Sequence, residues 1–244
     1  MAALRSYRLL LTWQLLRLKM FLPILIVVQA LFALGIVIGY PLLFPELDRT
    51  TILFLATGAP AISLIIVGLA MVPQVVSQAK TEGTFDYMRS LPIPRLVYLL
   101  ADLTIWLIIV LPGVSVSIAI AVVRFGLDVQ ISPLVVPVFL LVALSASSVG
   151  YAIASVLPQM AANVLSQVLV VFVLMFSPLM FPPERLPDWL ASVHAVLPIQ
   201  SMGEVIRGTL ATNVFPLNAG PLLLLAAWAA AGFGLTYAAM IRRR

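Results

Sequence analysis

The chain has 244 residues, 63% of them hydrophobic and 9% charged, with a mean hydropathy of +1.15. A water-soluble domain of that composition lacks the polar side chains to cover its surface, so lipid is the solvent for most of it. A formal charge of +5 accompanies this, and the absence of cysteine excludes disulfides, thiolate metal sites and Cys nucleophiles.

A hydrocarbon core of about 30 Å is crossed by roughly 20 helical residues. Six apolar runs meet that requirement, and spans are expected near 21–44, 50–75, 97–123, 133–157, 161–181 and 219–241. Phe21 to Phe44 holds one amide, Gln29, and no charge, which excludes the alternating strands of a closed β-barrel. The expected fold is an all-α membrane protein, a single transmembrane helical bundle over residues 1–244. The first run is too long for a signal-peptide core and lacks an A-x-A cleavage site after it, so it is read as a retained span.

In chain order, residues 4–20 suit an N-terminal interfacial helix. Arg5, Arg8, Thr12 and Lys19 recur on one side, and Leu4, Tyr7, Leu11 and Leu18 fall elsewhere. A basic flank that only sets orientation reads the same residues. Gly35 and Gly39 form G-x-x-x-G, a close-approach pattern that is also common by chance. Tyr40-Pro41 marks the outer end of the first span, and residues 45–49 form a short external turn. Gly58-Ala59-Pro60 removes a backbone donor and predicts a kink in the second span, either lining a path or absorbed by neighbouring helices. Asp102, early in the third span, is expected to hydrogen-bond at the interface or between helices rather than carry protons. Ser145, Ala146, Ser147, Ser148 and Gly150 form a small-residue face for tight packing. The short link at Pro158, Gln159 and Met160 makes the fourth and fifth spans antiparallel neighbours. The chain holds no internal repeat or low-complexity tract.

Ten of the fourteen Lys and Arg residues lie before the first span, after the second or at the end of the chain, while Arg49, Arg124, Arg185 and Arg207 lie opposite. Positive loops stay cytoplasmic, so both termini are expected inside, in a multi-pass protein of the plasma (inner) membrane. The basic balance then reflects topology and attraction to anionic lipid, with no nucleic-acid partner expected.

Two connections stand apart. Residues 78–95, QAKTEGTFDYMRSLPIPR, allow a short helix with Phe85, Met88 and Leu91 on one side and Lys80, Glu82, Asp86 and Arg89 on the other, stopped by Pro92 and Pro94. It reads either as a knob for the groove of a soluble partner or as an ordinary charged turn at the membrane boundary. The external connection 182–218 is too long and apolar for a loose loop. Trp189, Val193, Val196 and Leu197 line one side of a short helix ended by Pro198, and the segment is expected to dip back into the outer leaflet. Glu204 and Arg207, at i and i+3, can pair on a second short helix.

Glu82-Gly83-Thr84 with Ser90-Leu91-Pro92, and then Ser177-Pro178-Leu179-Met180-Phe181-Pro182, Leu186-Pro187-Asp188-Trp189, Leu197-Pro198 and Ile206-Arg207-Gly208, resemble the ABC-2 type permeases of ATP-binding cassette transporters. The resemblance covers the whole chain. It implies that Glu82, Gly83, Thr84, Phe85, Asp86, Met88 and Arg89 form a coupling helix on a separate nucleotide-binding ATPase subunit, where ATP and magnesium bind. It also implies re-entrant helices over Pro183 to Val196 and Ile199 to Gly208, bearing Pro182, Trp189, Glu204 and Arg207 at an external gate. A homodimer with the translocation path between two copies, acting in export, completes the implied assembly.

Lys19 and Lys80 are the sole lysines and neither follows a glycine, so these residues hold no G-x-x-x-x-G-K-[ST] loop. No catalytic, metal or cofactor site is therefore expected in this chain. Gln29, Ser63, Asn163, Ser166 and Gln167 are the polar positions expected on a substrate path, or equally as interhelical glue. A largely apolar path suits a hydrophobic or amphipathic cargo such as a drug, lipid or lipid-linked glycan. Two other readings compete. An ion-coupled secondary transporter would place Asp102 in the membrane. An intramembrane serine protease would need Ser115 to meet His194, the single histidine.

Overall fold

The computed structural model describes residues 2–43, 48–83, 95–181 and 186–242. Every regular element among them is helical. Helix α1 (Ala2–Leu18) is followed by α2 (Leu22–Leu43) and α3 (Arg49–Ile66). A π-helical turn, Val67–Met71, joins α3 to α4 (Val72–Thr81). Then come α5 (Arg95–Phe125), α6 (Val135–Val156), α7 (Gln159–Phe176), the short α8 (Asp188–Val196) and α9 (Pro198–Leu210), and α10 (Ala219–Arg242). Six segments are long and apolar enough to cross a membrane: Leu22–Gly39, Arg49–Thr81, Leu100–Phe125, Val135–Val156, Gln159–Phe176 and Ala219–Thr236. They coincide with the six apolar runs of the sequence.

The span Arg49–Thr81 is the centre of the bundle and is almost wholly enclosed, whereas α2, α7 and α10 turn most of their surface outward. Ile24, Val27, Val28 and Leu31 on α2, and Val164, Val168, Val171 and Met175 on α7, are exposed, an apolar surface suited to lipid or to another membrane-embedded chain. In lipid, apolar burial no longer drives helices together, so close packing and polar contacts have to. Small residues provide the first. A β-carbon on Gly68 would lie 2.4 Å from the Ala146 Cβ, and one on Gly150 would lie 2.1 Å from the Gly68 carbonyl oxygen. Ser148 meets Gly232 on the other side and donates to the Trp228 carbonyl at 3.3 Å. Ser145, Ala146, Ser147, Ser148 and Gly150 are thus all buried, but they serve two neighbours, the π-turn and α10, rather than a single face.

Prolines account for the two irregularities of the central span. Helix α3 continues through Pro60. That residue has no N–H for the Ala56 carbonyl, and the buried Ser117 hydroxyl of α5 donates to that carbonyl instead. The change of helical geometry comes later, at Val67–Met71, where the Val72 N–H reaches back to the Val67 carbonyl. One extra residue in that turn accommodates Pro73 behind it. Asp48 caps α3 by accepting from the Thr51 N–H at 3.3 Å.

Helix α1 packs along α5, with the Tyr7 hydroxyl 2.9 Å from Thr104 Oγ1. Leu10 and Gln14 form its enclosed face and Leu4 points outward, so the inward stripe is Tyr7, Leu10, Gln14 and Leu18 rather than one that begins at Leu4.

Candidate functional site

The end of the bundle that carries α8 and α9 is held by one side chain. Helix α7 stops at Phe176, and the carbonyls of Pro178 and Leu179 then lack helical donors. Arg207 of α9, buried to 4% exposure, reaches both: its Nη2 donates to Leu179 O at 2.5 Å and Pro178 O at 3.3 Å. Its guanidinium lies 3.5 Å from the centre of the Phe54 ring on α3, a cation–π contact made stronger by the exclusion of water. Burial lowers the pKa of this group and the charge of Glu204 opposes that shift.

Two glycines make room for the arrangement. A β-carbon at Gly58 would fall 2.3 Å from the Leu179 carbonyl oxygen, and one at Gly203 would fall 2.6 Å from Leu179 Cδ2 and 3.1 Å from Arg207 Nη1. Glu204 does not pair with Arg207; it accepts from Gln200 Nε2 at 2.8 Å. A cavity of about 210 Å³ opens beside them, bordered by Phe54, Pro178, Glu204, Arg207 and Asn218. Backbone bonds from Ser132 N to Thr209 O (2.7 Å) and from Thr212 N to Gln130 O (3.1 Å) tie the end of α9 to the α5–α6 connection.

On α8 the stripe of Trp189, Val193 and Val196 does form one side, and it is the outward one: Trp189 is 69% exposed. Leu190 and His194 face inward. His194 stacks on Phe172, with ring centres 6.0 Å apart. The Ser115 hydroxyl donates to Leu111 within its own helix. Neither residue makes a described contact with the other, and no nucleophile and base are assembled there.

At the opposite end, the Lys80 ammonium donates to the Ala154 carbonyl, joining the end of α4 to α6. Glu82 terminates α4 and accepts from Gln78 Nε2 at 2.6 Å. Gly83 follows with φ of 73°, a left-handed conformation natural for glycine, so the chain leaves the helix sharply. Thr84, Phe85, Asp86, Met88 and Arg89 lie outside the described residues, as does Pro182.

The other polar positions disperse. Gln29 is buried against Gly113 of α5 and Ser63 is enclosed within the central span. On α7, Ser166 is enclosed and Gln167 exposed. Neither Asn163 Oδ1 nor the Ser166 hydroxyl has a partner among the described residues. Asp102 accepts from Tyr151 at 2.9 Å and from Trp106 at 3.1 Å, bridging α5 and α6 as an interhelical hydrogen-bonding residue. Among the described residues no group of His and carboxylates is arranged to hold a metal.

Sequence reasoning passed over Phe54 and Gly203, took Gly58 only as part of a kink, and placed Arg207 at the external gate or in a pair with Glu204 without its buried contacts. The available signal was an arginine set between Val205, Ile206 and Leu210 in a helix whose next turn holds only small or apolar residues.

A family model described as ABC-2 type transporter matches residues 7–211, from α1 through the end of α9. The chain belongs to the ABC-2 type transporter family. It is accordingly a multi-pass permease of an ABC transporter, and the Arg207 cluster falls within the matched region. No curated protein matches the chain. For an ABC-2 permease, the family implies an ABC ATPase as partner.

Proposed function

We propose that this chain is the permease subunit of an ATP-driven exporter in the plasma (inner) membrane, with both termini cytoplasmic. It carries a hydrophobic or amphipathic substrate, of the class of drugs, lipids and lipid-linked glycans. The observation that carries this reading is the family match over residues 7–211, which takes in five of the six candidate spans and both short helices. The absence of a phosphate-cradling loop from the sequence supports delivery of energy by a separate subunit that binds ATP and magnesium.

In this reading residues 78–95 are the cytoplasmic coupling segment, with Glu82 and Gly83 at its root and Thr84, Phe85, Asp86, Met88 and Arg89 against the ATPase. The rigid union of α4 to α6 through Lys80 suits a lever that transmits motion instead of absorbing it. Helices α8 and α9 are the re-entrant pair on the outer side. Arg207 pins them to the second span and to the end of the fifth, so that a shift of either moves the gate region, including Trp189 and Glu204. Two copies form the path between them, and Asn163 and Gln167 are its polar positions, with the enclosed Gln29, Ser63 and Ser166 entering only as the helices part. Nucleotide drives the cycle if the two packings of the bundle differ in their contacts with the ATPase.

Reconstitution tests this. Vesicles that contain the chain and its co-purified ATPase are expected to move an amphipathic fluorescent substrate only with hydrolysable ATP. Equal movement by the chain alone, without nucleotide, would refute the proposal.

A further inference from the structure

A second cavity lies at the other end of the bundle, where α1 crosses α4, α5 and α6. It measures about 30 Å³ and is bordered by Trp13, Arg17, Tyr98, Asp102, Trp106 and Tyr151. Its chemistry is lopsided. Asp102 Oδ2 takes both neutral donors, Tyr151 and Trp106, and Oδ1 has no partner among the described residues. Arg17 borders the same space yet forms no ion pair with Asp102; its guanidinium lies 5.6 Å from the Trp13 ring centre. A carboxyl group with an unpartnered oxygen and no cation paired to it among the described residues, ringed by four aromatic side chains, is a recognition site for a positively charged nitrogen.

The geometry points to a binding site for the primary ammonium of a phospholipid headgroup, as in phosphatidylethanolamine. Size selects the primary amine. A cavity of this volume holds about two waters, enough for an ammonium donating to Asp102 Oδ1 but not for a trimethylammonium. Position selects a lipid. Trp13 and Arg17 lie at the cavity's rim on α1, where Leu9 and Leu16 are 61% and 59% exposed, as suits a helix lying in the headgroup region. Arg17, itself exposed, supplies a guanidinium for the phosphodiester that follows the amine by two carbons. The site is separate from the Arg207 cluster and borders the proposed coupling segment only at Ala79, and it stands whatever the cargo is.

The test is native mass spectrometry of the detergent-purified protein, with its partner subunits if they co-purify. It is titrated separately with short-chain phosphatidylethanolamine, phosphatidylcholine, phosphatidylglycerol and free ethanolamine. Wild type should retain phosphatidylethanolamine about tenfold to a hundredfold better than phosphatidylcholine, the range a hydrogen bond to a charged group provides. Asp102→Asn keeps an acceptor for Tyr151 and Trp106 and should abolish the preference. Should that variant fail to fold, Trp13→Ala on the exposed face of α1 should weaken it. Arg17→Gln should weaken all three phospholipids together while leaving the amine preference in place. Equal retention of phosphatidylethanolamine and phosphatidylcholine, or a preference that survives Asp102→Asn, would overturn the proposal. Free ethanolamine binding as tightly as the lipid would overturn the lipid as its source.

Discussion

Arg207 concentrates several demands in one side chain, because it must satisfy two carbonyls left by the end of α7 while its own charge is held away from water. Replacing it by Met keeps the length and apolar stem but strands the Pro178 and Leu179 carbonyls, at a cost of about 1–3 kcal/mol. Chemical unfolding in detergent should report that loss. Lys in its place retains the charge but not the fork that spans both carbonyls nor the flat group that stacks on Phe54, and should rescue only part of it. Gly58→Val should destabilise by about 1–3 kcal/mol through overpacking, since the space its side chain would fill is held by the Leu179 carbonyl. His194 behaves in the opposite sense. Burial lowers its pKa from 6.5, outweighing the nearby Phe176 carbonyl, so the folded state favours the neutral ring. The unfolded chain then binds the extra proton as pH drops below about 6.5, and stability falls with it. His194→Phe, which keeps the stack on Phe172, should flatten that part of the pH–stability curve.

Helices, more than individual side chains, were legible in the sequence. Six unbroken apolar runs leave a backbone in lipid no alternative to helix, and their ends follow from charge, proline and glycine. What periodicity does not reveal is which side of an all-apolar helix faces a neighbour. Trp189, Val193 and Val196 share a face as their spacing requires, but nothing local says that this face points outward. The π-turn at Val67–Met71 was equally hidden, since it arises from Pro73 and from the approach of Gly150 to Gly68, sequence neighbours only in the fold. The exchange of donors at Ala56 can be tested by a double-mutant cycle. Ser117→Ala alone should cost about 0.5–2 kcal/mol. In a Pro60→Ala background, where residue 60 regains an N–H for the same carbonyl, the cost should shrink toward zero in the same unfolding assay. An unchanged penalty would break the link between the proline and the serine.

For the whole molecule, the enclosed span Arg49–Thr81 connects the two ends that matter. One end meets α9 through Phe54 and Gly58; the other leads through Lys80 and Glu82 into residues 84–94. Under the proposed function, that continuity would let the second span transmit motion between an ATPase and the Arg207 region. If residues 78–95 are the coupling segment as proposed, Asp86→Lys and Phe85→Ala should both abolish coupled transport while leaving membrane insertion and thermal stability as in wild type. The most direct measurement is affinity purification of the chain from its native membrane in mild detergent, with quantitation of what accompanies it. The expected result is a P-loop ATPase in equal proportion to the chain, largely lost in Asp86→Lys. A chain that purifies without any ATPase, and moves solute on a proton gradient alone, would contradict the assignment of this protein as a nucleotide-driven permease.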